Sequence, residues 1–292
     1  MSGVNRTALE DVPGFVHLIS RITDSTLSLV VVMFNILILL KRRNSTDHQF
    51  RMLTLKTAYD LIYAVLNICF LGSEILINLD VNVNEEYRRF SKIVHQASLD
   101  VIGVVNLNVT LDRLLALKQP FKYQLYCKRL RFGTVICVVL GALFSFANST
   151  MAYFVVRLNW PFSHCKLIRT CWKILVTAVN VMYVLAAVVF VLVFRQFCKS
   201  TIGIMVNKHR RSMRLANKVV ISQGVTELCF FVISSIGYLT YFLLPENAFY
   251  NTNALITLIL QPIFTLYLVA CSVVFFVLLT RNVKTTPYVT NS

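Results

Sequence analysis

Charge is scarce in this sequence. Only 14% of its 292 residues are Asp, Glu, Lys or Arg, against about a quarter in an ordinary soluble domain. With 57% hydrophobic residues and a mean hydropathy of +0.66, the chain cannot cover a water-facing surface. That excludes a soluble globular class and points to a membrane protein. Acids are scarcer than bases, 13 against 29. In a membrane protein the net charge of +16 asks which side of the bilayer holds the bases; nucleic acid is not expected as a partner. The eight cysteines include no CxxC pair and no zinc-type spacing, so neither a metal site nor a disulfide scaffold is indicated. Met1 to Arg21 has no basic-then-apolar signal peptide, and insertion is expected to rely on the first span. No repeat, low-complexity segment or separate soluble domain is visible. HExxH and GxSxG are missing and the five histidines are dispersed. The expectation is a protein that is not an enzyme and uses no cofactor or metal.

What the chain does have is long apolar runs. A helical span needs roughly 20 apolar residues, and seven stretches qualify: about 22–40, 53–79, 93–117, 132–156, 174–197, 219–244 and 254–280. Charges in the second, third and sixth lower their hydropathy. The expected fold is all-α, a seven-transmembrane helix bundle over 22–280, between an extracellular tail of 1–21 and a short cytosolic tail of 281–292. The N-terminal tail and the second, fourth and sixth loops hold nine bases; the other side holds the remaining twenty of 29. Bases concentrate on the cytosolic side, so the N-terminus is expected outside and the C-terminus in the cytosol. Asn5-Arg6-Thr7 on the outer tail is a glycosylation candidate at Asn5.

The third run ends at Leu111 in an adjacent acid and base, Asp112 and Arg113, followed by Pro120 and Tyr123. Charge at the rim of an apolar helix, then a proline and a basic stretch, predicts a helix that leaves the membrane and stops in a loop. On the same run His95, Leu99, Ile102, Asn106, Val109 and Arg113 recur at three-and-four spacing and share one face, the expected bundle-facing stripe. Asp100 lies on another face and needs its own partner, as does Glu227 in the sixth run.

Polar groups inside hydrocarbon are functional candidates by default. Asn35 and Asp60 lie at similar depth in the first and second spans, and a hydrogen bond between them, joined by Ser272, is expected. Interhelical glue is one reading of this network; a conformational switch is the other. Outer-half candidates for a ligand cavity are His95, Asp100, Tyr153, Tyr183, Tyr238, Tyr241 and Gln261, with core packing as the plainer alternative. Cys165 and Cys171 fall in the expected outer loop between the fourth and fifth spans, where their separation allows a bridge; free thiols or a bridge to Cys69 are the alternatives. Arg195 to Lys218 carries seven bases and no acid, which anchoring to anionic lipid explains.

Seven runs with an outer N-terminus, joined to Asp112-Arg113-Leu114-Leu115-Ala116, Pro120 and Tyr123, resemble the rhodopsin-like G-protein-coupled receptors. Asn35 and Asp60 match the asparagine and acid of that family's first two helices. The departures narrow the match. Leu114 stands where a tyrosine is usual, no cysteine lies near Arg88, the fourth run lacks tryptophan and the sixth lacks proline. Cys271-Ser272-Val273-Val274-Phe275 replaces the Asn-Pro-x-x-Tyr run.

This mixture is similar to the nematode serpentine chemoreceptors. Class BC is indicated by the short first connection and by Arg214-Leu215-Ala216-Asn217-Lys218 opening the sixth run. The resemblance implies a plasma-membrane receptor in sensory neurons and their cilia. It implies an outer-cavity small-molecule ligand and a heterotrimeric G protein as partner, with Asp112, Arg113 and Tyr123 at the switch. The competing reading is a ligand-gated channel or transporter subunit of seven helices, using intramembrane Asp60, Asp100 and Glu227. No Gly/Pro-broken helix pair supports it.

Overall fold

The computed structural model describes residues 14–42, 50–158, 162–200, 217–222, 224–226 and 249–283. Among the described residues the protein is all-α, with seven helices. They are α1 (Gly14–Arg42), α2 (Arg51–Asn78), α3 (Glu85–Lys118), α4 (Pro120–Leu158), α5 (Phe162–Ser200), α6 (helical at 217–222 and 224–226) and α7 (Phe249–Val283). Among the described residues, five stretches are long and apolar enough to cross a membrane: Phe15–Arg42, Arg51–Asn78, Tyr126–Asn148, Ile174–Gln196 and Gln261–Thr280. At 1.5 Å per residue each reaches about 30 Å, the hydrocarbon thickness. Most of the sixth expected span lies outside the described residues.

The third expected span is helical but is not among the five. α3 carries Glu85, Glu86, Arg88, Arg89, Lys92, Asp100, Asp112 and Arg113, and it packs against α2, α4 and α5 together. A helix covered by neighbours can hold charges that a lipid-facing helix cannot. Of its expected inward stripe, His95, Ile102, Asn106, Val109 and Arg113 are buried and Leu99 is half-buried. α4 and α5 sit at the periphery and turn Phe132, Leu140, Leu143 and Leu185 outwards. Apolar side chains exposed along whole helices suit hydrocarbon and would aggregate in water.

The helix boundaries have local causes. α1 begins at Gly14, inside the segment expected to be a tail. α2 stops in a Schellman turn: the Asp80 N–H bonds to the Ile77 carbonyl (3.0 Å) and the Val81 N–H to the Leu76 carbonyl (2.9 Å). Asp80 holds φ at 56°, a left-handed conformation that glycine usually supplies and a short polar side chain tolerates. α3 starts at Asn84, whose side chain accepts from the Glu86 N–H at 2.8 Å. Glu85 and Glu86 then place negative charge at the positive helix end.

The loop expected after Arg113 is absent. Gln119 alone separates α3 from α4, at φ −138° and ψ 66°. Proline drives the residue before it out of the α region, which ends α3. Pro120 itself fits the first turn of a helix, where its missing N–H costs nothing, so the basic stretch after it is the start of α4.

Packing runs from α7 through α1, α2 and α3, with α4 and α5 on the far side of α3. In lipid this rests on close van der Waals fit and interhelical hydrogen bonds. The α3–α5 approach is tight at Gly103, where an added Cβ would stand 2.1 Å from Asn180 Oδ1. One apolar cluster around Val31, Tyr63, Ile102, Phe264 and Leu268 fills the half of the bundle nearer the start of α1. Another around Ile38, Phe50, Leu53, Phe190 and Phe275 fills the opposite half.

Candidate functional site

Where α3 ends, Asp112 and Arg113 are both fully buried. Arg113 Nε donates to Asp112 Oδ2 at 2.9 Å, and Nη2 contacts the same oxygen. The sharp α3–α4 corner brings Tyr123 onto this pair. Arg113 Nη2 donates to the Tyr123 hydroxyl at 3.0 Å, and that hydroxyl donates to Asp112 Oδ1 at 3.0 Å. The tyrosine ring packs with Ala116 and Cys127. Three residues expected to act together are thus one closed triad. A guanidinium removed from water is stable here only because its charge is matched and its donors are used.

The expected Asn35–Asp60–Ser272 network divides into two. Asn35 Oδ1 accepts from the Ser272 hydroxyl at 2.8 Å, linking α1 to α7. Asp60 pairs with Lys56 one turn before it on α2, at 2.6 Å with both side chains buried. Sequence reasoning paired Asp60 with the depth-matched Asn35, yet a full positive charge in reach outcompetes a neutral amide in a low-dielectric interior. Asn35 Nδ2 and Asp60 Oδ1 are left without hydrogen-bond partners among the described residues.

The half of the bundle where α1 begins holds an unforeseen polar chain. Arg21 Nη1 donates to Gln261 Oε1 (3.1 Å), Gln261 Nε2 to Asn67 Oδ1 (3.2 Å), and Asn67 Nδ2 to Asp24 Oδ1 (3.3 Å). Asn67 also bonds Ser28, and the Thr265 hydroxyl donates to Asp24. Asp24 lay inside the first apolar run, where it could have been noticed as an intramembrane acid. Its partners on α2 and α7 have no sequence signal.

His95 lies beside this chain, stacked on Phe70 with ring centres 5.0 Å apart and 3.3 Å from the Tyr63 hydroxyl. Phe70 in turn lies under the Arg21 guanidinium. Of the cavity candidates, His95 and Gln261 therefore share one region. Tyr183 is buried on α5, facing Gly224 of α6. The Tyr153 side chain, Tyr238 and Tyr241 lie outside the described residues, as do Asn5 and Glu227.

Asp100 is not isolated: it accepts from Gln96 (2.9 Å), Ser145 of α4 (2.6 Å) and Trp172 of α5 (2.9 Å). It ties three helices together. At the start of α3, Arg88 pairs with Glu74 of α2 at 2.8 Å, and that hydrogen bond holds the guanidinium pKa above its ordinary value.

The Cys165–Cys171 bridge does not form. Both positions fall on α5, which begins at Phe162, and Cys171 is a free, exposed thiol. Six residues of straight helix separate two Cα atoms by roughly 10 Å, beyond the reach of a disulfide. Cys127 is buried beside Tyr123. Among the described residues no group of three His, Cys, Asp or Glu is placed to hold a metal ion.

Compared with known proteins, the chain matches no family model and no curated protein. Its helix lengths and apolar composition make it a helical multi-pass membrane protein.

Proposed function

We propose that the chain is a chemosensory receptor on the rhodopsin-like plan, resembling the nematode serpentine receptors of class BC. It binds a small environmental molecule between its outer half-helices and signals through a heterotrimeric G protein at its cytosolic face in the plasma membrane. The observation that carries this reading is the buried Asp112–Arg113–Tyr123 triad at the base-rich end of α3. A fully buried charge pair at the mouth of a central helix is a two-position device: closed, its charges satisfy each other; open, Arg113 is free for another acceptor. A ligand biases such an equilibrium by binding one conformer more tightly. The protein acts as a receptor and not as an enzyme.

The test is a chemical screen in transfected cells with a G-protein readout. Arg113→Ala abolishes the evoked signal at unchanged surface level, whereas Asp112→Asn raises the unstimulated signal severalfold by loosening the hold on Arg113. Normal evoked signalling from a well-expressed Arg113→Ala variant sinks the role given to the triad. Ligand-gated current in cells without G-protein function favours the channel or transporter reading.

A further inference from the structure

The polar chain in the outer half is an ion pair stretched through two amides. Arg21 and Asp24 are one helical turn apart on α1, close enough to pair directly, yet they do not. Instead both amides are oriented the same way, each accepting on the arginine side and donating on the aspartate side. Gln261 of α7 and Asn67 of α2 therefore join cation to anion and close a ring that leaves α1 and returns to it. This arrangement leaves valences unused at both ends. Asp24 is 1% exposed, and its Oδ2 has no hydrogen-bond partner among the described residues. Arg21 is half-buried and uses one donor among the described residues, with its guanidinium set 5.7 Å from the centre of the Phe70 ring.

A buried carboxylate oxygen without a partner is costly, and so are idle donors on a guanidinium within an apolar span. Charge balance decides which ligand relieves both. A lone ammonium would satisfy Asp24 and leave a net positive charge beside Arg21. A lone carboxylate would do the reverse. A molecule carrying both groups keeps the region neutral and makes two charge-assisted contacts.

We propose that Arg21 and Asp24 form the recognition site for a small zwitterion of amino-acid type, its carboxylate on Arg21 and its ammonium on Asp24 Oδ2. The proposal deepens the receptor reading by naming its ligand class. Binding takes up the idle Arg21 donors and Asp24 Oδ2, adding two direct charge contacts beside the amide bridge that joins α1, α2 and α7.

The experiment measures thermal unfolding of the full chain purified in detergent micelles. The additives are the twenty standard amino acids, β-alanine and γ-aminobutyrate, each against methylamine and acetate at equal concentration. At least one zwitterion raises the unfolding temperature saturably, while methylamine, acetate and their mixture do not. Arg21→Gln and Asp24→Asn each weaken that zwitterion's binding at least about 30-fold, as expected for truncating one partner of a buried charge pair. The selectivity of the unmodified protein decides the matter even where a variant folds poorly. No stabilisation by any zwitterion of the panel overturns the proposal, as does equal stabilisation by methylamine or acetate alone. Zwitterion binding without a G-protein signal would sink the receptor reading and leave this site standing. Signalling driven solely by ligands that lack one of the two charges would do the opposite.

Discussion

The hydroxyl of Tyr123 takes a hydrogen bond from Arg113 and gives one to Asp112, both at 3.0 Å. One side chain from the first turns of α4 thereby bridges a charge pair at the end of α3. The bridge depends on the corner between the helices being a single residue.

Tyr123→Phe keeps the ring among Ala116 and Cys127 but deletes both bonds. A net loss of about 1–3 kcal/mol is expected for bonds to charged groups, read as a lower unfolding temperature in detergent micelles. Under the proposed function the same variant signals more without ligand. An unchanged unfolding temperature would mean that Arg113 and Asp112 are satisfied without the tyrosine.

Lys56 and Asp60 make the second buried pair, and removing one partner should hurt more than removing both. Lys56→Met alone is expected to cost about 3–5 kcal/mol because it strands a buried carboxylate. The double variant Lys56→Met/Asp60→Asn should recover most of that loss. A double-mutant cycle of thermal unfolding gives the coupling energy, expected to be at least about 2 kcal/mol. Additive losses would show that the two side chains do not depend on each other.

Gly103 is where α3 comes closest to α5. Gly103→Ala pushes a methyl group into Asn180 Oδ1, and an overpacked contact costs about 1–3 kcal/mol. Asn180→Ala added to it should restore stability, since it removes the obstructing amide. Were the rescue to fail, the crowding would lie with the backbone of α5.

Cys171 is exposed and free while Cys127 is buried. A maleimide reagent is expected to modify Cys171 rapidly without prior reduction and to leave Cys127 unmodified until the protein unfolds, as read by peptide mass spectrometry. Cys165→Ser should not change the Cys171 rate. A requirement for reductant would restore the bridge that the helical spacing argues against. Given to intact cells, a membrane-impermeant form of the reagent also tests whether Cys171 lies outside, as the base asymmetry predicts.

The departures from expectation share one cause. Asp60 and Asn35 lie at one depth in neighbouring spans, but depth does not say which group turns towards which. Lys56, one turn away on the same helix, belongs to the twenty bases on the expected cytosolic side, yet it is buried. The loop after Arg113 and the loop holding Cys165 were both expected where proline and polar residues cluster. In the first place Gln119 alone separates two helices, and in the second α5 is already helical from Phe162. Hydropathy finds the apolar core of a span and passes over its polar helical ends.

Composition and periodicity by themselves determined that this is an all-α membrane protein, because continuous apolar runs of roughly 20 residues satisfy their backbone within hydrocarbon as helices, whereas barrel strands are shorter and alternate. They also determined the inward face of α3, because helical spacing fixes which side chains share a stripe. The Asp112–Arg113 pair was legible as adjacent letters at the rim of an apolar run. Only the tertiary structure decided what closes over it, since Tyr123 reaches the pair by way of the α3–α4 corner. Likewise Arg21, Gln261, Asn67 and Asp24 are joined by the packing of α7 and α2 on α1, and a pairing between helices far apart in the chain leaves no trace in the spacing of either one.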